Sequence, residues 1–326
     1  MDIKKNFKNF ISTFFHKNFA WCILVALLVL FVCLSQNFLT KRNLLNLLMQ
    51  NGYLIVLAMG VLFQILSGML DLSVGYQMSL VGVLTSMMMV KLDYPVGIAM
   101  VLGIMIGILL QMINIGVAMI IKLPTIIITM ATSIVFQGIA YMITNAGTIN
   151  GFPDSFLFIG QGFIGPVSMP IILAVFAVMV ASFILNKTYI GRYVYALGGN
   201  AEAAKLAGIN IIKTRLIIAV FTGFFIGLSS LIMISRLGAS NAGYGPGSEF
   251  TAITALCLGG ISIKGGKGSV SGAVAGVLII AMISNGMQLA GFGTYVQYMV
   301  KGLIMLAAFG IDVLQQKRRA MVKIKN

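Results

Sequence analysis

Apolar runs that contain no charge recur along nearly the whole chain, and no other feature constrains its fold as strongly. "FAWCILVALLVLFV" (19–32) and "VGIAMVLGIMIGILL" (96–110) are two of them. Each approaches the ~20 residues that a helix needs to cross a hydrocarbon core, and no water-soluble core has room for so many. Charged residues make up only 9% of the chain and mean hydropathy is +1.03. Soluble domains carry roughly 25% charged residues. The sequence therefore specifies an all-α, polytopic membrane protein.

Ten helices are expected, at about 19–36, 44–70, 72–90, 95–121, 125–144, 168–186, 214–234, 249–263, 269–288 and 294–313. The basic start "MDIKKNFKNFISTFFHKN" leads into an apolar run without a small-residue cleavage site, so it reads as a retained first span rather than a signal peptide. With that start inside, an even number of spans returns "QQKRRAMVKIKN" to the inside as well. Seventeen basic residues then fall on inside segments and only Lys41, Arg42, Lys91 and Arg236 outside, with Lys301 left within the last span. That asymmetry supports the orientation. It also explains the net charge of +15 as topology signals rather than as a nucleic-acid surface. The whole chain, 1–326, reads as one transmembrane domain with an external loop at 145–167 and an internal loop at 187–213.

Much catalytic chemistry is excluded by what is missing. His16 is the only histidine, and Cys22, Cys33 and Cys257 lie in apolar segments with no metal or disulfide spacing. No cofactor is implied. "GGISIKGGKGSVSG" (259–272) has the look of a phosphate loop, but such a loop needs G-x-x-x-x-G-K-[ST]. Counted from Gly260, Gly266 stands where the lysine should be, and Lys267 is followed by Gly268. The stretch reads as a tight basic turn on the inner face.

Polar residues inside the spans are mostly uncharged: Gln64, Gln111, Asn114, Thr129, Thr132, Gln137, Asn285 and Gln288. Amides and hydroxyls suit a neutral, hydroxyl-rich solute, and serve equally as hydrogen bonds between helices. Two acids interrupt this pattern. Asp71, in "LSGMLDLSVGYQMS", is followed by Ser73; it can cap the next helix or mark a break beside a transport path. Glu249 restarts a helix after Gly-Tyr-Gly-Pro-Gly and sits where the helix dipole favours an acid. Gln64, Asp71, Ser73, Asn114, Glu249 and Asn285 are the candidate path residues.

One stretch is out of character. "GGNAEAAKLAGIN" (198–210) places a small polar helix in the internal loop. Asn200 is a good N-cap, Glu202 stands in the first turn, Ala203 and Ala204 favour helix, Lys205 suits the C-terminal end and Gly208 is a stop signal. Two turns are too short to be stable alone in water, and no large apolar face is present for a membrane surface. Docking in a groove of a cytoplasmic partner would hold it.

With "LSGMLDLSVG" (66–75), "YALGGNAEAAKLAGI" (195–209) and "LGGISIKGGKGSVSGAVAGVLI" (258–279) in this order and spacing, the chain resembles the permease subunits of bacterial ABC importers for ribose, xylose, galactose and related sugars, a family that includes autoinducer-2 permeases. The likeness extends over most of the chain. It implies an architecture like the vitamin B12-type permeases, in the bacterial cytoplasmic membrane with both termini in the cytoplasm. Implied partners are cytoplasmic ABC ATPases, an extracytoplasmic sugar-binding protein and a second permease subunit, identical or related, in a lipid bilayer. By position, Gly199 to Gly208 would be the helix that seats in the ATPase, with Ala201 standing where many relatives carry proline. Exchanging Glu202 for Lys together with Ala204 for Trp should then abolish transport. Other readings are an ion-coupled carrier, a structural membrane partner in a signalling complex, or an ABC permease for a nucleoside or autoinducer-2.

Overall fold

The computed structural model describes the backbone of residues 19–325 and the side chains of residues 20–310 and 312–314. His16 and the basic residues Lys4, Lys5, Lys8 and Lys17 lie outside the described residues, as do the side chains of Lys317, Arg318, Arg319, Lys323 and Lys325. Among the described residues the regular structure is helical, apart from four two-residue strands. Its helices are α1 (Phe19–Leu34), α2 (Lys41–Leu66), α3 (Val74–Val90), α4 (Val96–Ile121), α5 (Thr125–Thr144), α6 (Asp154–Gln161), α7 (Met169–Lys187), α8 (Tyr189–Gly199), α9 (Ala201–Leu206), α10 (Ile211–Leu237), α11 (Ser248–Leu258), α12 (Val270–Leu289) and α13 (Thr294–Lys325). Strands β1 (Ile149–Asn150) and β4 (Ala239–Ser240) pair antiparallel, as do β2 (Phe163–Ile164) and β3 (Val167–Ser168).

Among the described residues, seven helices are long and apolar enough to cross a membrane: α2, α4, α5, α7, α10, α12 and residues 294–314 of α13. α1, α3 and α11 are apolar but shorter. All ten segments expected from the sequence fall on these helices, with shifted ends. α2 stops at Leu66 rather than near 70, because Gly68 adopts a left-handed φ of 79° that a helix cannot contain. α11 stops at Leu258 rather than 263, at Gly259 and a left-handed Gly260. The internal loop expected at 187–213 holds α9, the short helix expected within it, and also α8, which the sequence reading did not place.

α10 is the centre of the bundle and packs along α4 on one side and α2 on the other. Small residues make the α4 crossing possible. A Cβ on Gly107 would come within 2.7 Å of the Gly223 carbonyl oxygen, and one on Gly227 within 2.8 Å of the Ile104 Cα. Backbones this close gain dispersion contacts that lipid cannot supply. On the α2 side, Phe63 stacks on Phe221 and Phe225 with ring centroids 5.6 and 6.1 Å away.

The two ends of the bundle are distinct. At one end β1 joins the segment 145–167 to the segment 238–247, and α6 is tied to the end of α10 by the Gly160 N–H, which donates to Ser235 Oγ at 2.8 Å. At the other end the α11–α12 turn meets α8, where Tyr195 Oη donates to the Gly268 carbonyl at 3.0 Å. Segments that charge placement assigns to one side thus pack with one another.

Candidate functional site

The sharp step from α8 to α9 begins with a chain reversal at Asn200. There the backbone leaves helical geometry (φ −164°, ψ 107°) and the side-chain oxygen accepts the Ala203 N–H at 3.0 Å. The same side chain thus ends one helix and caps the next, as its type favours. The other end closes with a Schellman pair: Ile209 N–H bonds the Ala204 carbonyl and Gly208 N–H bonds that of Lys205, both at 3.0 Å, with Gly208 at φ 84°. Both caps lie where the sequence places them.

Orientation of this helix was not legible beforehand. Ala204 is only 4% exposed and turns towards the body of the protein, which α9 touches through α8 and α10. Glu202, Ala203, Lys205, Ala207 and Gly208 are exposed, and so is Leu206, at 89%. A single large apolar side chain is therefore held in water at the tip of a short capped helix. A tryptophan at Ala204 would press on the chain's own packing, so that substitution does not report on docking.

Directly above α9, three backbone segments meet with almost no side chains between them. The Gly266 N–H donates to the Leu66 carbonyl at 2.8 Å, fastening the α11–α12 turn to the end of α2. Gly198, one residue before the exposed Gly199, packs against both: a Cβ there would run into the Leu66 carbonyl oxygen and the Gly266 nitrogen. Gly265 would meet Gly68 N at 2.7 Å and Gly198 Cα at 2.9 Å. Burial holds the Tyr195 phenol above its ordinary pKa, so it stays a donor to Gly268 and fixes the turn from outside. This glycine clasp joins the α8–α9 step to the end of α2. Gly198→Ala should overpack it, at a cost of about 1–3 kcal/mol. Thermal unfolding of the purified chain in detergent measures this; an unshifted midpoint would mean the contact is loose.

Five residues past Leu66 lies the second feature. The chain breaks between α2 and α3, and Asp71 in the break is 1% exposed. Its Oδ1 accepts the Ser73 N–H at 2.7 Å and the Ser73 hydroxyl at 2.6 Å, while Oδ2 accepts Gln64 and Gln111 amide N–H groups, each at 3.0 Å. Ser73 Oγ in turn accepts from Gln77 at 2.8 Å and Asn114 at 2.7 Å, and Gln77 also donates to Gln111 Oε1 at 2.8 Å. The carboxylate does bond the backbone ahead of α3, as a cap would. It is also the centre of a fully buried amide cluster drawn from α2, α3 and α4. No lysine or arginine among the described residues bonds it. Amide, hydroxyl and backbone donors of the chain itself fill both of its oxygens instead. Three oxygens in the cluster, Gln64 Oε1, Gln77 Oε1 and Asn114 Oδ1, are buried without a protein donor.

Of the candidate path residues, the fold thus brings Gln64, Asp71, Ser73 and Asn114 together. Glu249 is buried against Gly75 in α3's first turn, where it accepts the Gly247 N–H at 3.0 Å and no hydrogen bond joins it to that cluster. Asn285 is elsewhere, in a reciprocal amide pair with Asn43 at 2.9 and 3.0 Å that ties α12 to the start of α2. Gln77 and the clasp glycines escaped the sequence reading. For Gln77 a signal existed: it follows Ser73 by four residues, one helical turn.

The family described as "Branched-chain amino acid transport system / permease component" matches residues 43–309. The chain belongs to this permease family. It is 34% identical to the ribose import permease protein RbsC of Haemophilus influenzae, covering 95% of this chain and 97% of that one. With the xylose transport system permease protein XylH of the same organism it shares 33% identity over 91% and 96% of the two chains. With the L-arabinose transport system permease protein AraH of Escherichia coli it shares 34% over 92% of each. The resemblance to sugar-importer permeases carried by 66–75, 195–209 and 258–279 therefore holds, and the chain is a non-catalytic permease subunit. No solved structure matches it.

Proposed function

We propose that this permease carries a neutral monosaccharide of the ribose type inward across the bacterial cytoplasmic membrane, driven by ATP hydrolysis in partner subunits. The observation that carries the reading is α9: a capped, two-turn helix with Leu206 exposed at its tip, rigidly joined to the bundle by the glycine clasp. An element of this kind is unstable alone and useful only against a partner. Sugar-named relatives over nine-tenths of the chain support the solute class.

In this mechanism the ATPases close on ATP and push α9, along the residues Gly199 to Gly208. The clasp passes the push to the end of α2 and so to the break at 67–73. Gln64, Asp71 and Ser73 then shift against Asn114 on α4, and the path opens alternately to each side, with Glu249 bordering it on α11. The seven long and three short apolar helices make ten crossings, in the manner of the vitamin B12-type permeases. Both termini lie in the cytoplasm; a sugar-binding protein delivers to the 145–167 end, and a second permease subunit completes the path. An ion-coupled carrier would need carboxylates buried in several spans, whereas only Asp71 and Glu249 interrupt the uncharged pattern, and both stand at span ends.

Two measurements test this. The tagged chain purified in mild detergent should bring down an ABC ATPase, and a version with 200–208 replaced by a Gly/Ser linker should not. Sugar uptake in cells should also continue after an uncoupler is added, for as long as ATP is maintained. An immediate stop would shift the assignment to a secondary transporter.

A further inference from the structure

Lys301 is in an unusual place. Among the long spans, the other described basic residues stand within five residues of a helix end: Lys41, Arg42, Lys187, Lys213, Arg215 and Arg236. Lys301 lies seven residues into α13, within the stretch 294–314 that is long and apolar enough to span. A cation at such depth is strongly disfavoured unless it serves a site. It is half-buried, and no described acid pairs with it.

Its side chain lines a cavity of about 380 Å³ between the start of α11 and α13. That volume suits a small-molecule site. The other walls come from Phe250, Thr251 and Thr254 on α11 and Tyr298 on α13. The Thr251 hydroxyl donates to the Gly247 carbonyl at 3.0 Å and the Thr254 hydroxyl to that of Phe250 at 2.7 Å. With their hydrogens engaged, these oxygens can only accept. Lys301 offers three donors, the Tyr298 hydroxyl either role, and the partly exposed Phe250 and Tyr298 rings offer flat apolar faces.

A monosaccharide presents the complementary set: hydroxyls that donate and accept around an apolar ring face. An anionic group suits the cavity less well. Glu249 is buried in the same first turn of α11, and its carboxylate already holds the N–H of Gly247 on the cavity wall. The cavity also lies at the end shared with the 238–247 segment, remote from α9. A solute arriving opposite the ATPase meets it early.

We infer that the cavity bounded by Lys301, Tyr298, Thr251 and Thr254 is a monosaccharide contact site of this permease, with Lys301 donating to the sugar hydroxyls. The inference rests on the sugar-permease reading and assigns the place of contact.

Site-directed thiol labelling tests it in membranes that hold the whole complex. Cys22, Cys33 and Cys257 are replaced by alanine and Met305, on the cavity wall, by cysteine (M305C). Labelling by a membrane-impermeant methanethiosulfonate is followed with and without D-ribose, D-xylose or L-arabinose. The sugar that is taken up should slow labelling at least threefold. In parallel, Lys301→Met should lower uptake at least tenfold while ATPase copurification persists, and Lys301→Arg should restore part of it. Labelling unaffected by a transported sugar overturns the site, and so does full uptake by Lys301→Met. Labelling slowed by added phosphatidylglycerol but by no sugar would make it a lipid headgroup site instead, and overturns it equally. If the unmutated complex takes up none of these sugars, the solute class of the permease reading fails, and this ligand assignment with it.

Discussion

Leu206→Glu should strip the ATPase from this permease while leaving the chain folded in the membrane. Leu206 is 89% exposed at the end of α9, and Ala204 beneath it is 4% exposed. Truncating an apolar anchor that fills a partner's pocket typically costs 2 kcal/mol or more, and burying a carboxylate there adds a desolvation penalty. An association weakened by about 4 kcal/mol is roughly a thousandfold weaker, so copurification and uptake should both disappear. Because the side chain touches little of its own protein, expression and thermal unfolding should stay unchanged. Leu206→Met, similar in size and apolar, should retain most of the uptake. Full uptake by Leu206→Glu would show that α9 does not seat in the partner through its tip.

Why Leu206 had to be found in the structure, when Asn200 and Gly208 did not, is a matter of range. Caps are settled within four residues of chain: an Asn oxygen reaching the third N–H, a glycine accepting positive φ. Spans are legible for a related reason, since an uncharged apolar run is demanded by the solvent and not by a neighbour. Which face of α9 looks outward depends instead on α8 and α10. α8 carries a weak local signal because Gly191, Gly198 and Gly199 are poor helix formers; burial of Val194 and Leu197 against the bundle supplies what propensity lacks. The turn at 259–269 was recognisable as a turn. That its glycines are the fitted surface for Leu66 and Gly198 needs three distant segments to be superposed. Asp71 shows the same division. Its bond to Ser73 is local and was foreseeable, whereas the bonds from Gln64 and Gln111 exist only because α2 and α4 converge on the break.

That convergence makes Asp71 the residue whose loss should matter most to the fold. Replacement by leucine, close in size, removes the acceptor for the Ser73 N–H, the Ser73 hydroxyl and two glutamine amides. Each buried donor left without a partner costs about 1–3 kcal/mol. Some relief is available, because Ser73 can turn its hydroxyl to another acceptor and the amides can rotate; a loss of about 3–5 kcal/mol is the expected result. Asp71→Asn should be much milder, at about 1–2 kcal/mol. Its oxygen can keep the Ser73 bonds, and its new N–H₂ faces Gln64, whose unpartnered Oε1 can rotate in to accept it. Gln111 has no such freedom, since its Oε1 already receives Gln77. The order of thermal midpoints in detergent should therefore be wild type, then Asp71→Asn, then Asp71→Leu well below both. Transport separates structure from path. If Asp71 only holds the break closed, Asp71→Asn should carry sugar nearly as well as wild type; if its charge acts on the solute, uptake should collapse in a chain that is still folded. An Asp71→Leu chain as stable as wild type would contradict the hydrogen-bonded hub itself, because four donors cannot lose a buried carboxylate without cost.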